Sequence, residues 1–188
     1  MLCAIDGLDG SGKTTVSRLV ADILRSHGYD PVVREHPGEG ILGRACRRML
    51  LKEGNLALAG ASALMVAELL VSGMRIRMDP DGCHVVVRYD LSACFLPDRV
   101  SGFALRAMRV MLPRPDMTVM IDVEPDVALG RIDGRGGDTE MFENAESMKR
   151  VRRRMASAPG VVVLDGSRPP GETAIEITSM LLDPDDAE

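Results

Sequence analysis

Gly7-Leu8-Asp9-Gly10-Ser11-Gly12-Lys13-Thr14 packs three glycines, a lysine and two hydroxyls into eight consecutive residues. Those types at that spacing can hold phosphate. With no side chains at Gly7, Gly10 and Gly12, backbone N–H groups can close around phosphate oxygens. A helix opening at the end of the loop adds the attraction of its dipole. Lys13 then reaches the β- and γ-phosphates of ATP, the Thr14 hydroxyl is placed to ligate Mg2+, and Thr15 completes the binding run. The chemistry this allows is phosphoryl transfer, in which a protein supplies positive charge and alignment and does little covalent work.

The loop must sit between a strand and a helix, and the flanking residues predict both. Leu2 to Asp6 is a short apolar run, a buried strand. Val16, Leu19, Val20, Ile23 and Leu24 recur at helical spacing from Thr14 to His27, and Gly28 ends the helix. Further strands are expected at 31–34, 84–87, 117–123 and 161–164. Helices are expected near 42–52, 58–78, 99–111, 125–132, 140–156 and 171–182. Strands alternating with helices predict an α/β fold with a five-stranded parallel sheet and helices on both faces. The 188 residues read as one domain, with an acidic tail from Asp183.

A net charge of −5 argues against a nucleic-acid coat or a membrane-surface protein. The run Lys149-Arg150-Val151-Arg152-Arg153-Arg154 is basic, but Glu143 and Glu146 precede it, so a salt-bridged helix face is expected. Only Lys13, Lys52 and Lys149 are lysines. Arginine grips phosphate bidentately and suits polyanionic ligands, although composition alone accounts for most exposed arginines. Cys3, Cys46, Cys83 and Cys94 are scattered and read as small apolar residues in a reducing compartment. No leader is evident and no stretch reads as long enough to span a bilayer, so a cytoplasmic protein is expected.

The loop with its internal Asp9 resembles that of thymidylate kinases, and the likeness continues in order. Arg34-Glu35-His36-Pro37-Gly38 is similar to the family's segment after the second strand. Arg88-Tyr89-Asp90-Leu91-Ser92 looks like its segment after the third, and Ile121 to Leu129 like its fourth strand and following helix. Arg131, Arg135 and residues 138–143 sit where the family has its lid, here about 134–142. Asp165 to Pro169 looks like its adenine-side loop. The resemblance implies a three-layer P-loop NTPase fold and transfer from ATP to a nucleoside monophosphate, dTMP to dTDP. It implies catalytic roles for Lys13, Arg88, Arg131 and Arg135. It gives Gly7, Leu8, Asp9, Gly10, Ser11, Gly12, Lys13, Thr14 and Thr15 to ATP. For the acceptor it implies Asp9, Arg34, Glu35, Arg88, Tyr89 and Phe95, with Arg44, Arg47 or Arg48 on the acceptor phosphate. Family members are commonly dimers, which implies a homodimer and a small-molecule nucleotide as the other partner.

Four positions depart from the pattern. The family's Asp before Arg88 is Val87, leaving Glu35 or Asp90 to stand in beside Thr14 at the metal. The Phe and Arg that read thymine are Met65 and Leu69. His36 lengthens the loop after the second strand and reads as a plain loop histidine. The aromatic after Ser92 arrives one residue early, at Phe95. Two other readings stay open: a kinase for a different small acceptor, favoured by Met65 and Leu69, and a nucleotide-binding protein without transfer, favoured by Val87.

Overall fold

The computed structural model describes residues 1–52, 54–134 and 145–183. Arg135, the expected lid beyond Gly134, the start of the helix expected from 140 and the tail from 184 lie outside them. The elements are β1 (Leu2–Gly7), α1 (Lys13–Ser26), β2 (Pro31–Glu35), α2 (Ile41–Leu50), α3 (Asn55–Arg77), β3 (Cys83–Val87), a 3-10 helix (Asp90–Phe95), α4 (Asp98–Met111), β4 (Met117–Asp122), α5 (Pro125–Asp133), α6 (Ala145–Ala156), β5 (Val161–Asp165) and α7 (Pro170–Leu182). The 3-10 helix has no counterpart in the sequence reading.

The strands form one sheet in the order β2-β3-β1-β4-β5, and every pairing is parallel. β1 and β3 are buried along their whole length, which is why they read as unbroken apolar runs. Alternation along the strands divides the core in two. Cys3, Ile5 and Val85 face Val16, Val20 and Leu24 of α1 and Ile177 of α7. Leu2, Ala4 and Val86 face Leu69 and Ile76 of α3 and Met108 of α4. Met120 meets Met148, Val151 and Met155 of α6 on that second side. Each fully buried Leu or Val contributes about 2 kcal/mol, and this sandwich holds the carboxyl ends of β1, β2 and β3 in one rigid row. That row is where ligands bind in open α/β sheets.

α3 overturns one expectation. Leu56–Arg77 is long and apolar enough to cross a membrane by length and composition, with a mean hydropathy of 1.8. Such a profile also belongs to core helices of globular proteins, and α3 packs against α2 and the sheet through Ala61, Leu69 and Ile76. Its opposite side carries Leu56, Val71, Met74 and Met78, all exposed. At helical spacing they form a second apolar stripe, so the helix is apolar nearly all round.

Candidate active site

Gly12, just before α1, has a left-handed φ of 92° and provides no side-chain cap. The first turn carries no acidic residue either, so the amide-rich end of the helix is left for an anion. Gly10 turns the loop at φ 80°, and a Cβ there would stand 2.4 Å from the Ala128 carbonyl oxygen. No side chain fits at that position. The Ser11 hydroxyl is buried in the loop without a hydrogen-bond partner among the described residues. An empty helix cap, a glycine cradle and an unspent hydroxyl are what a triphosphate requires, so the residues present fit ATP.

A cleft of about 420 Å3 opens over this loop. Asp9, Gly10, Gly12, Lys13, Thr14 and Thr15 form one wall, and Glu35, His36, Pro37, Arg47, Val87, Arg88 and Arg131 the rest. Lys13 Nζ donates to the Leu8 carbonyl at 2.9 Å and to Asp9 at 3.1 Å. Arg88 donates to the same Asp9 oxygen. The Asp9 carboxylate therefore holds both cations at the cleft floor. Arg131 reaches from α5 across the loop, donating to the Gly10 carbonyl at 3.3 Å and the Gly166 carbonyl at 3.2 Å. It thereby ties the phosphate loop to the segment after β5.

Arg88 is fixed by its backbone. It has φ 59°, unusual for a residue with a side chain. Its N–H donates to the Ile5 carbonyl at 3.2 Å, and the next amide, Tyr89 N–H, donates to Asp6 Oδ2 at 3.0 Å. Asp6 is fully buried and its Oδ1 has no partner among the described residues. Burial outweighs the Tyr89 amide and pushes the Asp6 carboxyl up to about 7. The folded state thus holds a proton that the unfolded chain, with an ordinary value of 3.8, releases. Stability of the ligand-free protein should fall as pH rises from about 4 to 7 and level off above, by about 4 kcal/mol from this group. Urea unfolding across that range checks this: Asp6→Asn should flatten the slope, and an unchanged slope in that variant would exclude Asp6 as its source.

A second cavity, of about 260 Å3, lies on the far side of Arg88, which lines both. Its walls come from Cys46 and Leu50 of α2, Leu58, Ala61, Met65 and Val66 of α3, Phe95, and Phe103, Ala104 and Met108 of α4. Phe95 lies with its ring centroid 5.9 Å from the Arg88 guanidinium carbon, a cation–π distance. Ser62 and Ser92 are the other polar lining residues, and Ser62 already donates to the Leu58 carbonyl.

Taken together, a glycine loop opening a helix and an arginine lining both its cleft and an adjoining apolar cavity suit a nucleotide kinase. A family model described as thymidylate kinase matches residues 5–177. The chain belongs to the thymidylate kinase family. It is 30% identical to the probable thymidylate kinases of Pyrobaculum calidifontis and Archaeoglobus fulgidus, covering 96% of this chain and 95% and 94% of theirs. A thymidylate kinase of Xanthomonas euvesicatoria pv. vesicatoria is 30% identical over 89% of this chain and 76% of its own.

Against that family, several side chains assigned to the acceptor stand elsewhere. Tyr89 is fully buried and donates its hydroxyl to the Pro113 carbonyl; it belongs to the core and lines neither cavity. Arg34 shares its strand face with the α3 side of the sheet and lies near Arg75 and Asp79, where burial lowers its pKa. Arg44 donates to the Glu39 carbonyl and Arg48 is exposed, and neither lines the cleft. Arg47 is the α2 arginine that does, anchored on the Pro37 carbonyl at 2.6 Å. Asp90 pairs with Arg109 at 2.7 Å and faces a different cavity, so it does not replace the missing aspartate. Leu69 is core, whereas Met65 lines the second cavity. His36 is buried beside the cleft and donates Nδ1–H to the Val87 carbonyl at 3.3 Å. Burial holds it below the ordinary histidine value.

Sequence reasoning missed Glu68, whose Oε1 accepts the Gly38 N–H at 2.9 Å and fixes the loop carrying Pro37. Nothing in the spacing marks a contact 30 residues apart. In the basic run, Arg152 is bound bidentately by Asp122 at 2.6 and 2.8 Å, and Arg154 pairs with Asp98.

Proposed function

We propose that this chain transfers the γ-phosphoryl group of ATP to dTMP, giving dTDP and ADP. The observation that carries the reading is Arg88, which lines both the phosphate cleft and the apolar slot. A polyanion on each side of one guanidinium meets in line across it, and that alignment is most of the catalysis such a reaction needs. Lys13 neutralises the donor. Arg88 bridges the acceptor phosphate and the transferring group as charge develops. Arg47 holds the acceptor phosphate from the α2 side. Arg131, already poised over the loop, closes over the donor. Phe95 offers its face to the acceptor base. The Thr14 hydroxyl would help hold Mg2+ on the nucleotide, and the ion would supply further neutralisation of the phosphates.

The slot also favours a second reading. An apolar wall senses shape and methyl groups but reads the polar edge of a base weakly. Met65 offers no aromatic face where the family has its thymine-reading Phe, and Leu69, where the family has a donating Arg, is turned into the core. A different monophosphate acceptor would fit the same surface. ADP release with ATP, Mg2+ and a panel of nucleoside monophosphates separates the two. dTMP is expected to be the preferred acceptor, with dUMP about tenfold poorer for want of one methyl. No turnover with dTMP alongside turnover of another monophosphate would replace the first reading by the second.

The exposed stripe of Leu56, Val71, Met74 and Met78 on α3 suits burial against a second copy of the chain. We assign a homodimer to that face and a cytoplasmic setting to the protein.

A further inference from the structure

The kinase reading leaves one position unexplained. The family's metal-side aspartate is Val87 here, yet Thr14 still offers its hydroxyl to a cation. Among the described residues no cluster of three or more acidic, histidine or cysteine side chains could hold a metal on its own. A cation on the nucleotide must therefore rely on few protein oxygens, as Mg2+ does when a single carboxylate joins substrate phosphates.

Four carboxylates lie near enough to consider. Asp6 is fully buried and engaged by the Tyr89 amide. Asp90 is paired with Arg109 on another cavity. Asp9 holds Lys13 and Arg88. Glu35 remains, and its placement is specific. The β2–β3 register sets Glu35 directly opposite Val87. Glu35 shares its face with Val33, and Val87 shares its face with Val85; both valines pack on the α1 side of the sheet. Glu35 and Val87 thus look into the same cleft, which both line. A carboxylate thus stands one strand over from Val87, at the same level of the sheet. Its Oε2 stands 3.5 Å from the Thr14 hydroxyl. Adjacent ligands of an octahedral Mg2+ are about 3 Å apart, so a small side-chain shift brings the two oxygens to one ion. Oε1 is held at 3.1 Å by Arg18, whose side chain is 68% exposed, a tether that can yield.

We propose that Glu35 is the protein carboxylate that organises the nucleotide-bound Mg2+, in place of the aspartate missing at Val87. The inference rests on the kinase reading, and calorimetry of ATP binding with and without MgCl2 tests it separately from turnover. In the wild-type protein, MgCl2 should tighten ATP binding. In Glu35→Gln that tightening should shrink about tenfold, while ATP affinity in EDTA stays unchanged. The MgCl2 concentration needed for half-maximal turnover should rise by a similar factor. Arg18→Ala, which removes only the tether, should keep the wild-type response to MgCl2. A Glu35→Gln protein with the wild-type response overturns the proposal. So does Arg18→Ala reproducing the full loss, because the effect would then belong to the ion pair. Absence of any ATP binding in the wild-type protein would instead defeat the kinase reading.

Discussion

Lys13→Ala should abolish turnover, lowering kcat by about 10³-fold or more. The Lys13 ammonium sits on the floor of the cleft, directed by the Leu8 carbonyl and Asp9. No other lysine lines that cleft, and the nearest cations, Arg88 and Arg131, already have fixed directions toward Asp9 and the loop carbonyls. Neither can slide into the vacated place. Folding should survive, because Asp9 keeps Arg88 as a partner. The check is single-turnover kinetics beside a thermal melt. Activity near the wild-type level in a folded Lys13→Ala protein would remove the cleft from the reaction.

Arg88→Ala should separate chemistry from donor binding. Turnover should fall by about 10²- to 10³-fold, while ATP affinity changes by no more than about threefold. The reason is positional. Arg88 stands between the two cavities, whereas the cradle for ATP is built from α1 and its loop. The backbone at Arg88 is held in its left-handed turn by the Ile5 carbonyl and Asp6 through main-chain amides. An alanine keeps those bonds, so the loss reports the guanidinium. Arg88→Lys should recover only part of the rate, since an ammonium makes a point contact where a guanidinium can grip two phosphates at once. Equal losses of turnover and ATP affinity would place Arg88 in donor binding instead.

The parts of this site legible in the sequence are those set by local spacing. Gly10 and Gly12 announce a tight loop, closed to any side chain at Gly10 and left-handed at Gly12, and the apolar run before them announces a central strand. Arg88 is legible because it directly follows the apolar run of β3, whose carboxyl end borders the crevice. The parts that were hidden depend on strand register and helix phase. Whether Arg44, Arg47 or Arg48 faces the cleft is set by how α2 leaves the Pro37 loop, which Glu68 pins from α3. Tyr89 reads as a substrate contact from its neighbour Arg88, but the left-handed turn at Arg88 sends it into the core. Glu35 and Asp90 both read as stand-ins for the aspartate absent at Val87; the choice between them was hidden, because Glu35, 52 residues away, meets Val87 only across the β2–β3 ladder, whereas Asp90 pairs with Arg109. The second apolar stripe of α3 was equally hidden: periodicity marks an apolar helix, but not which side the sheet will cover.

The central claim is that one guanidinium stands between a triphosphate cradle and an acceptor slot, so that a phosphoryl group passes directly from one ligand to the other. Phosphorus NMR of the wild-type protein with ATP, Mg2+ and dTMP tests it most directly. ADP and dTDP should appear together in equal amounts, with no inorganic phosphate. ADP accompanied by inorganic phosphate and no dTDP would contradict the account, because the cleft would then deliver the group to water.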